Sequence, residues 1–242
     1  ALIGPPLGLY EMALYQTDRR GRLAHLPACL CLSACGAVGA DPVRAMPAAI
    51  AVDLAWCGFG LHDSLWTRRP SPSWREWGEA QAINAGDAML SLARLSLLEP
   101  GRGATPDVVG EALDMLDEAC LSACHGRSLE MALADSASPD VGTLLEIGRA
   151  KSGALCGCAA DLGALLGGSS TSTREKMKDF GEKVGIVLYL KHAGGERASV
   201  LAGHYLEEGL ASLSEAVGPD SQRELIEVAS VAAGQSGRRA VR

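Results

Sequence analysis

The 242-residue chain predicts an all-α fold, and three observations carry the prediction. Hydrophobic residues make up 48% of the chain but aromatics only 4%, so Ala, Leu and Gly supply most of the apolar content. A core of small residues and Leu suits closely packed helices, whereas a β-sandwich draws on Val, Ile, Tyr and Phe. Apolar positions also recur at helical spacing, as at Val109, Leu113, Leu116, Cys120 and Ala123. No stretch alternates convincingly enough to read as a strand. The expected architecture is a helical bundle of nine or ten helices, one domain over residues 1–242, with a disordered tail at about 234–242.

Residues 1–22 read as an entry segment with a short helix between Tyr10 and Tyr15. PACLCLSACGAV, from Pro27 to Val38, is apolar on nearly all faces and predicts a buried helix. Asp41 is placed to cap the next element, with Pro42 at its first position. That helix is expected over Val43–Phe59, with Pro47 delaying or kinking its start. A loop follows from Leu65 to Trp74, marked by Pro70 and Pro72. Helix resumes near Trp77 and stops at Glu99-Pro100-Gly101. Further helices are expected over Asp107–Ala134, Asp140–Gly148 and Lys151–Leu166. GGSSTST, residues 167–173, reads as a linker before Arg174–Lys191. Glu196–Val217 and Ser221–Ala233 complete the chain's helices.

Charge narrows the function classes. The formal net charge is −7, with no basic run longer than pairs such as Arg238-Arg239, so no nucleic-acid partner is expected. No membrane span is expected, because no apolar run reads as the roughly 18–20 residues a bilayer needs. ALIGPPLGLYEMALYQ has no basic region before an apolar stretch, so no signal peptide is expected either, and the location read is cytoplasmic. The eight cysteines lie in apolar, helix-like segments. They read as small buried hydrophobes rather than as a disulfide framework or a zinc site. Cys31–Cys35 and Cys120–Cys124 have i,i+4 spacing, which suits helix packing.

The chemistry concentrates between Leu54 and Leu98, a stretch containing His62-Asp63-Ser64-Leu65, Arg68-Arg69 and Gly78-Glu79-Ala80-Gln81-Ala82-Ile83-Asn84-Ala85-Gly86-Asp87. Downstream come Gly126-Arg127-Ser128-Leu129-Glu130, Lys151-Ser152-Gly153-Ala154-Leu155 and Phe180-Gly181-Glu182-Lys183-Val184-Gly185-Ile186. In this order and spacing the segments resemble the trans-polyprenyl diphosphate synthases, the farnesyl- and geranylgeranyl-diphosphate synthase-like proteins. The resemblance runs over roughly residues 8–191, and residues 78–87 are its most specific part. GRSLE looks like the family's GQxLD segment and KSGAL like its KTGAL segment. The resemblance implies an isoprenoid-synthase-type bundle, shortened toward its C-terminus after Lys191. It implies prenyl transfer, in which an allylic diphosphate ionises with the help of Mg²⁺ held by two Asp-rich motifs. The partners it implies are a polyprenyl-synthase-like subunit in a homo- or heterodimer, and a prenyl diphosphate.

The sequence departs from that pattern at the residues the chemistry needs. Only Asp63 remains of the first Asp-rich motif, with Ser64 in place of the second carboxylate. Residues 187–195, VLYLKHAGG, carry no carboxylate where the second motif is expected. The basic N-terminal segment is reduced to residues 21–27, GRLAHLP. One Asp cannot hold a trinuclear Mg²⁺–diphosphate cluster, so the family's Mg²⁺ is doubtful here and no cofactor is expected. Asp63 reads either as a vestigial metal ligand or as a helix cap or partner of Arg68 or Arg69. Arg68, Arg69, Lys151, Lys191 and His192 are the candidates for holding a diphosphate; solvated surface charges are the plainer alternative. Asn84, Asp87 and Glu130 read as structural, and Trp56, Trp66, Trp74 and Trp77 as packing or a prenyl pocket. Three readings stay open: a non-catalytic or regulatory subunit partnering an active trans-prenyltransferase, a divergent prenyltransferase or terpene-cyclase-like enzyme that binds a prenyl diphosphate without the usual Mg²⁺ cluster, or a decayed paralogue.

Overall fold

The computed structural model describes residues 8–18, 23, 25–67, 77–98, 104–133 and 140–235. Among them every regular element is helical. The α-helices are α1 (Leu9–Asp18), α2 (Leu26–Ala37), α3 (Met46–Trp66), α4 (Glu79–Leu98) and α5 (Pro106–Ala132). They continue as α6 (Val141–Gly148), α7 (Ala154–Gly167), α8 (Thr171–Ala193), α9 (Glu196–Ala216) and α10 (Arg223–Ala232). The loop expected over residues 65–74, the tail beyond Gln235 and the segment around residues 19–22 fall largely outside the described residues.

Helix α7 is the axis of the bundle. Its residues Leu155 to Ala164 are all buried, and Ala, Gly and Cys predominate among them. Small side chains let neighbouring backbones approach closely, so α2, α5 and α8 pack directly against it. The largest core cluster joins Leu30, Cys31 and Cys35 of α2 to Val52 of α3, Leu116 of α5, Leu162 of α7 and Phe180 of α8. All eight cysteines are free thiols. Burial pushes Cys156 up to about 12 and Cys31 higher still, which keeps both protonated and inert.

Several boundaries differ from the sequence expectation for physical reasons. Asp41 does cap, accepting from the Val43 N–H at 3.0 Å, but what it caps is a short 3₁₀ turn, Pro42–Ala45. Helix α3 then runs past Phe59 to Trp66, so His62, Asp63 and Ser64 are helical. Between α6 and α7 the chain does not break. It widens into a π-turn, Arg149–Gly153. The expected linker at 167–173 contracts to a tight turn, with Gly168 left-handed and the Ser170 hydroxyl accepting from the Thr173 N–H. Gly194 and Gly195, at φ 76° and 89°, do break α8 from α9.

The expectation that no segment is long and apolar enough to span a bilayer needs one correction. The continuous helical stretch Pro42–Trp66 is long and apolar enough by length and composition. Half of its most apolar part is buried inside the protein, as in a core helix.

Candidate functional site

A cavity of about 570 Å³ opens among the ends of α3, α5 and α8 and the π-turn before α7. Helical spacing sets its wall. Trp56, Phe59, Gly60, Asp63 and Thr67 project from one face of α3; Ala123, Arg127 and Glu130 do so from α5. The π-turn contributes Lys151 and Ser152, and α8 contributes Leu188, Tyr189 and His192. Single-turn π segments recur where a helix must re-aim a side chain, and this one carries Lys151. Gly126 makes room for that lysine: a Cβ there would lie 2.8 Å from Lys151 Cγ and 2.8 Å from Ala150 Cβ.

The cavity has an apolar wall and a charged end. Leu23, Trp56, Phe59, Leu155 and Leu188 make the wall. At the charged end, Lys151 Nζ donates to Glu130 Oε2 at 2.5 Å and to Asp63 Oδ2 at 3.2 Å. Arg127 forms an ion pair with Asp63, and its Nε lies 3.5 Å from Glu130 Oε2. Tyr189 donates its hydroxyl to Glu130 Oε1 at 3.2 Å, and Lys151 Nζ sits 5.9 Å from the centre of its ring. Two carboxylates thus face two cations. Burial raises the Tyr189 phenol above its ordinary range, and Glu130 raises it further, so it remains a donor. Burial also draws the Arg127 guanidinium down, with Glu130 and Tyr189 opposing, but an arginine stays ionised.

Two donors on cavity-lining residues lack acceptors. Trp56 Nε1 and Arg127 Nε are buried and make no hydrogen bond. A buried donor without a partner costs about 1–3 kcal/mol.

The set of donors does not fit a Mg²⁺–diphosphate cluster. Mg²⁺ takes octahedral oxygen ligands and usually needs carboxylates free to bind it. Here Asp63 and Glu130 are already engaged by Lys151, whose ammonium sits between them. No group of three or more His, Cys, Asp or Glu side chains converges among the described residues.

Of the candidates read from the sequence, the cavity brings together Asp63, Lys151 and His192. Lys191 is exposed and outside the lining, because successive helical residues face different ways. Arg68 and Arg69 lie outside the described residues. Asp63 does not cap its helix; it pairs across the cavity with Arg127 and Lys151. Glu130, read as structural, lines the cavity, and Arg127 and Tyr189 were not singled out at all. A signal for the first two was present in GRSLE, where a cation and a carboxylate three apart share a helix face. Trp77 packs edge-on against Tyr15 at 5.3 Å, away from the lining, and Trp74 is outside the described residues. In α4, Ala82, Ala85, Gly86 and Met89 are buried as framework, while Asn84 and Asp87 face out.

A sequence model of the polyprenyl synthetases matches residues 9–191, some three-quarters of the chain. The chain belongs to the polyprenyl synthetase family. Within that family it is 34% identical over 185 residues to a (2E,6E)-farnesyl diphosphate synthase of Mycobacterium tuberculosis, covering 72% of this chain and 50% of that protein. It is also 27% identical over 231 residues to a chloroplastic heterodimeric geranylgeranyl pyrophosphate synthase small subunit of Arabidopsis thaliana, covering 91% of this chain and 69% of that one. The chain spans about half the length of the first curated relatives it matches. The polyprenyl-synthase fold is shared with a geranylgeranyl pyrophosphate synthetase of Geoglobus acetivorans (TM-score 0.83, 21% identity, 93% of this chain and 91% of that one). It is shared equally with a geranyl diphosphate synthase small subunit of Antirrhinum majus (TM-score 0.78, 24% identity, 93% and 89%).

Proposed function

We propose that this chain is a non-catalytic, polyprenyl-synthase-like subunit that pairs with an active trans-prenyltransferase and adjusts its output. The observation that carries the reading is the charged end of the cavity. Both of its carboxylates are held by Arg127 and Lys151, and α8 presents Tyr189 and His192 where the family's second Asp-rich motif is expected. Allylic ionisation needs several metal charges beside the departing diphosphate, and this donor set has no means of gathering them. The relatives that include small subunits of heteromeric synthases support a partner role. Eight free thiols suit a reducing cytoplasm.

The test is condensation of isopentenyl and allylic diphosphates with Mg²⁺, by the chain alone and co-expressed with a polyprenyl synthase from the same organism. The expected result is no turnover alone, a stable complex on pull-down, and a shifted product length. Robust turnover by the isolated chain would overturn the reading. A divergent prenyl-diphosphate enzyme is the second reading, favoured by the meeting of Lys151 and His192 on one cavity. Turnover without metal would select it.

A further inference from the structure

We infer that Lys151 and Arg127 are a built-in pair of counter-cations that shut divalent metal ions out of the charged end of the cavity. The inference rests on the non-catalytic reading and deepens it: the carboxylates at this end are not only few, they are blocked from within. The decisive observation is that each of their oxygens already faces a group of this chain. Asp63 turns Oδ1 to the Arg127 guanidinium and Oδ2 to the Lys151 ammonium. Glu130 turns Oε2 to the same ammonium and accepts from the Tyr189 hydroxyl at Oε1. Two negative charges therefore meet two positive ones, and an incoming divalent ion finds no net attraction. The ammonium also holds the place such an ion needs. Lys151 Nζ stands 2.5 Å from Glu130 Oε2 and 3.2 Å from Asp63 Oδ2. Ca²⁺ takes carboxylate oxygens at about 2.3–2.6 Å and Mg²⁺ at about 2.0–2.1 Å, so an ion bridging these two carboxylates would have to displace the lysine head.

The local structure keeps the block in place. A lysine on an open surface yields to a competing ion by swinging its head into water. The Lys151 and Arg127 side chains are only 13% and 14% exposed, so neither has that escape. The π-turn Arg149–Gly153 carries the lysine, and Gly126 leaves room for its stem, since a Cβ there would lie 2.8 Å from Lys151 Cγ. Arg127 and Glu130 are three apart on α5, so one helical turn presents a carboxylate together with one of its blockers. Asp63 reaches the same point from α3.

The experiment is calorimetric titration of the purified full chain with Ca²⁺ and, separately, with Mg²⁺ at neutral pH. The unaltered chain is expected to show no saturable uptake dependent on Asp63 up to about 5 mM, above the roughly 10⁻⁴–10⁻³ M at which weak carboxylate sites hold Ca²⁺. Lys151→Met combined with Arg127→Gln is expected to gain a saturable Ca²⁺ site in that range, at least about tenfold tighter than any uptake by the unaltered chain. Adding Asp63→Asn is expected to abolish the gain. Lys151→Gln with Arg127→Gln removes both charges but leaves amide donors beside the carboxylates. It is expected to show the same gain, and it keeps the test standing if the first pair of substitutions fails to fold. Lys151→Arg keeps the charge and is expected to stay silent. Saturable uptake by the unaltered chain that Asp63→Asn abolishes would overturn the inference. So would a folded double variant that stays silent, a gain that survives Asp63→Asn, or a gain in Lys151→Arg. None of these titrations measures condensation. Turnover by the isolated chain sinks the non-catalytic reading, whereas Asp63-dependent uptake without turnover sinks this inference alone.

Discussion

Two clusters of similar composition border α7 and behave differently: one gathers at Asp161 within it, the other at Lys151 in the π-turn that precedes it. At Asp161, Arg174 of α8 donates from Nε at 2.7 Å, and from its terminal nitrogen to Glu111 of α5 at 2.6 Å. At the other, Arg127 and Lys151 face Asp63 and Glu130. Both clusters set arginine against two carboxylates at helix junctions. The first is packed: Asp161 is buried, and Met115 Sδ lies 3.4 Å from the Arg174 guanidinium. The second borders a cavity and leaves donors unused. Charged residues in a core therefore mark a site only where space and unspent hydrogen-bonding capacity accompany them; otherwise they are fasteners.

The sharpest way to break this distinction is to remove each arginine. Arg174→Met strands the Asp161 carboxylate, whose pKa burial already raises, at a junction of three helices. The expected loss is about 3 kcal/mol, the lower end for breaking a buried pair, because Glu111 is half exposed and contributes less. It would be read as a lower midpoint in urea. Arg127→Gln is expected to change stability by less than about 1 kcal/mol, because Asp63 keeps Lys151 and stands beside open space. If the two losses prove equal, the cavity cluster is a fastener too.

A second comparison uses the thiols of α7 and its surroundings as reporters. Cys124 and Cys29 are exposed, whereas Cys156 and Cys158 are buried. Alkylation by iodoacetamide under native conditions is expected at the first pair well before the second. Cys158 lies beside the Arg174 cluster, its thiol 3.5 Å from the Met115 carbonyl oxygen. Arg174→Met is thus expected to speed Cys158 labelling, and Arg127→Gln to leave it unchanged. Mass spectrometry of labelled peptides reads both.

How much of this was legible in the sequence follows from what each signal measures. Helix existence is periodic and local, so α5 and α8 could be placed to within a few residues. The ends failed where tertiary packing outweighs breakers: α3 carries through His62-Asp63-Ser64, and α6 passes into α7 through a π-turn. The motif segments identified the family by their order and spacing. Lys151, Asp63 and His192 were legible as positions that match it. The pairing of Arg127 with Asp63, and of Tyr189 with Glu130, was not, since each joins residues more than 50 positions apart on different helices. The absence of carboxylates at residues 187–195 was plain; that Tyr189 turns into the cavity while Lys191 turns away required the rotation of α8.

The smallest expected effect isolates the hydroxyl of Tyr189. Burial and the neighbouring Glu130 both hold this phenol protonated above the ordinary phenol value of about 10. A raised folded-state value means the native state keeps the proton more tightly than the unfolded chain does. Its contribution is therefore complete below the ordinary phenol range and is lost as pH climbs from there toward the folded value. In a spectrophotometric titration, Tyr189, one of four tyrosines, should stay silent near pH 10. Tyr189→Phe should leave the amplitude near pH 10 unchanged and remove only the late phase. Its effect on stability at neutral pH should be about 1 kcal/mol, the worth of one hydrogen bond to a charged acceptor at a half-open site. A loss of amplitude near pH 10 would place the phenol in solvent, leave Glu130 to Lys151 and Arg127 alone, and reduce the cavity's charged end to the same kind of fastener as Arg174.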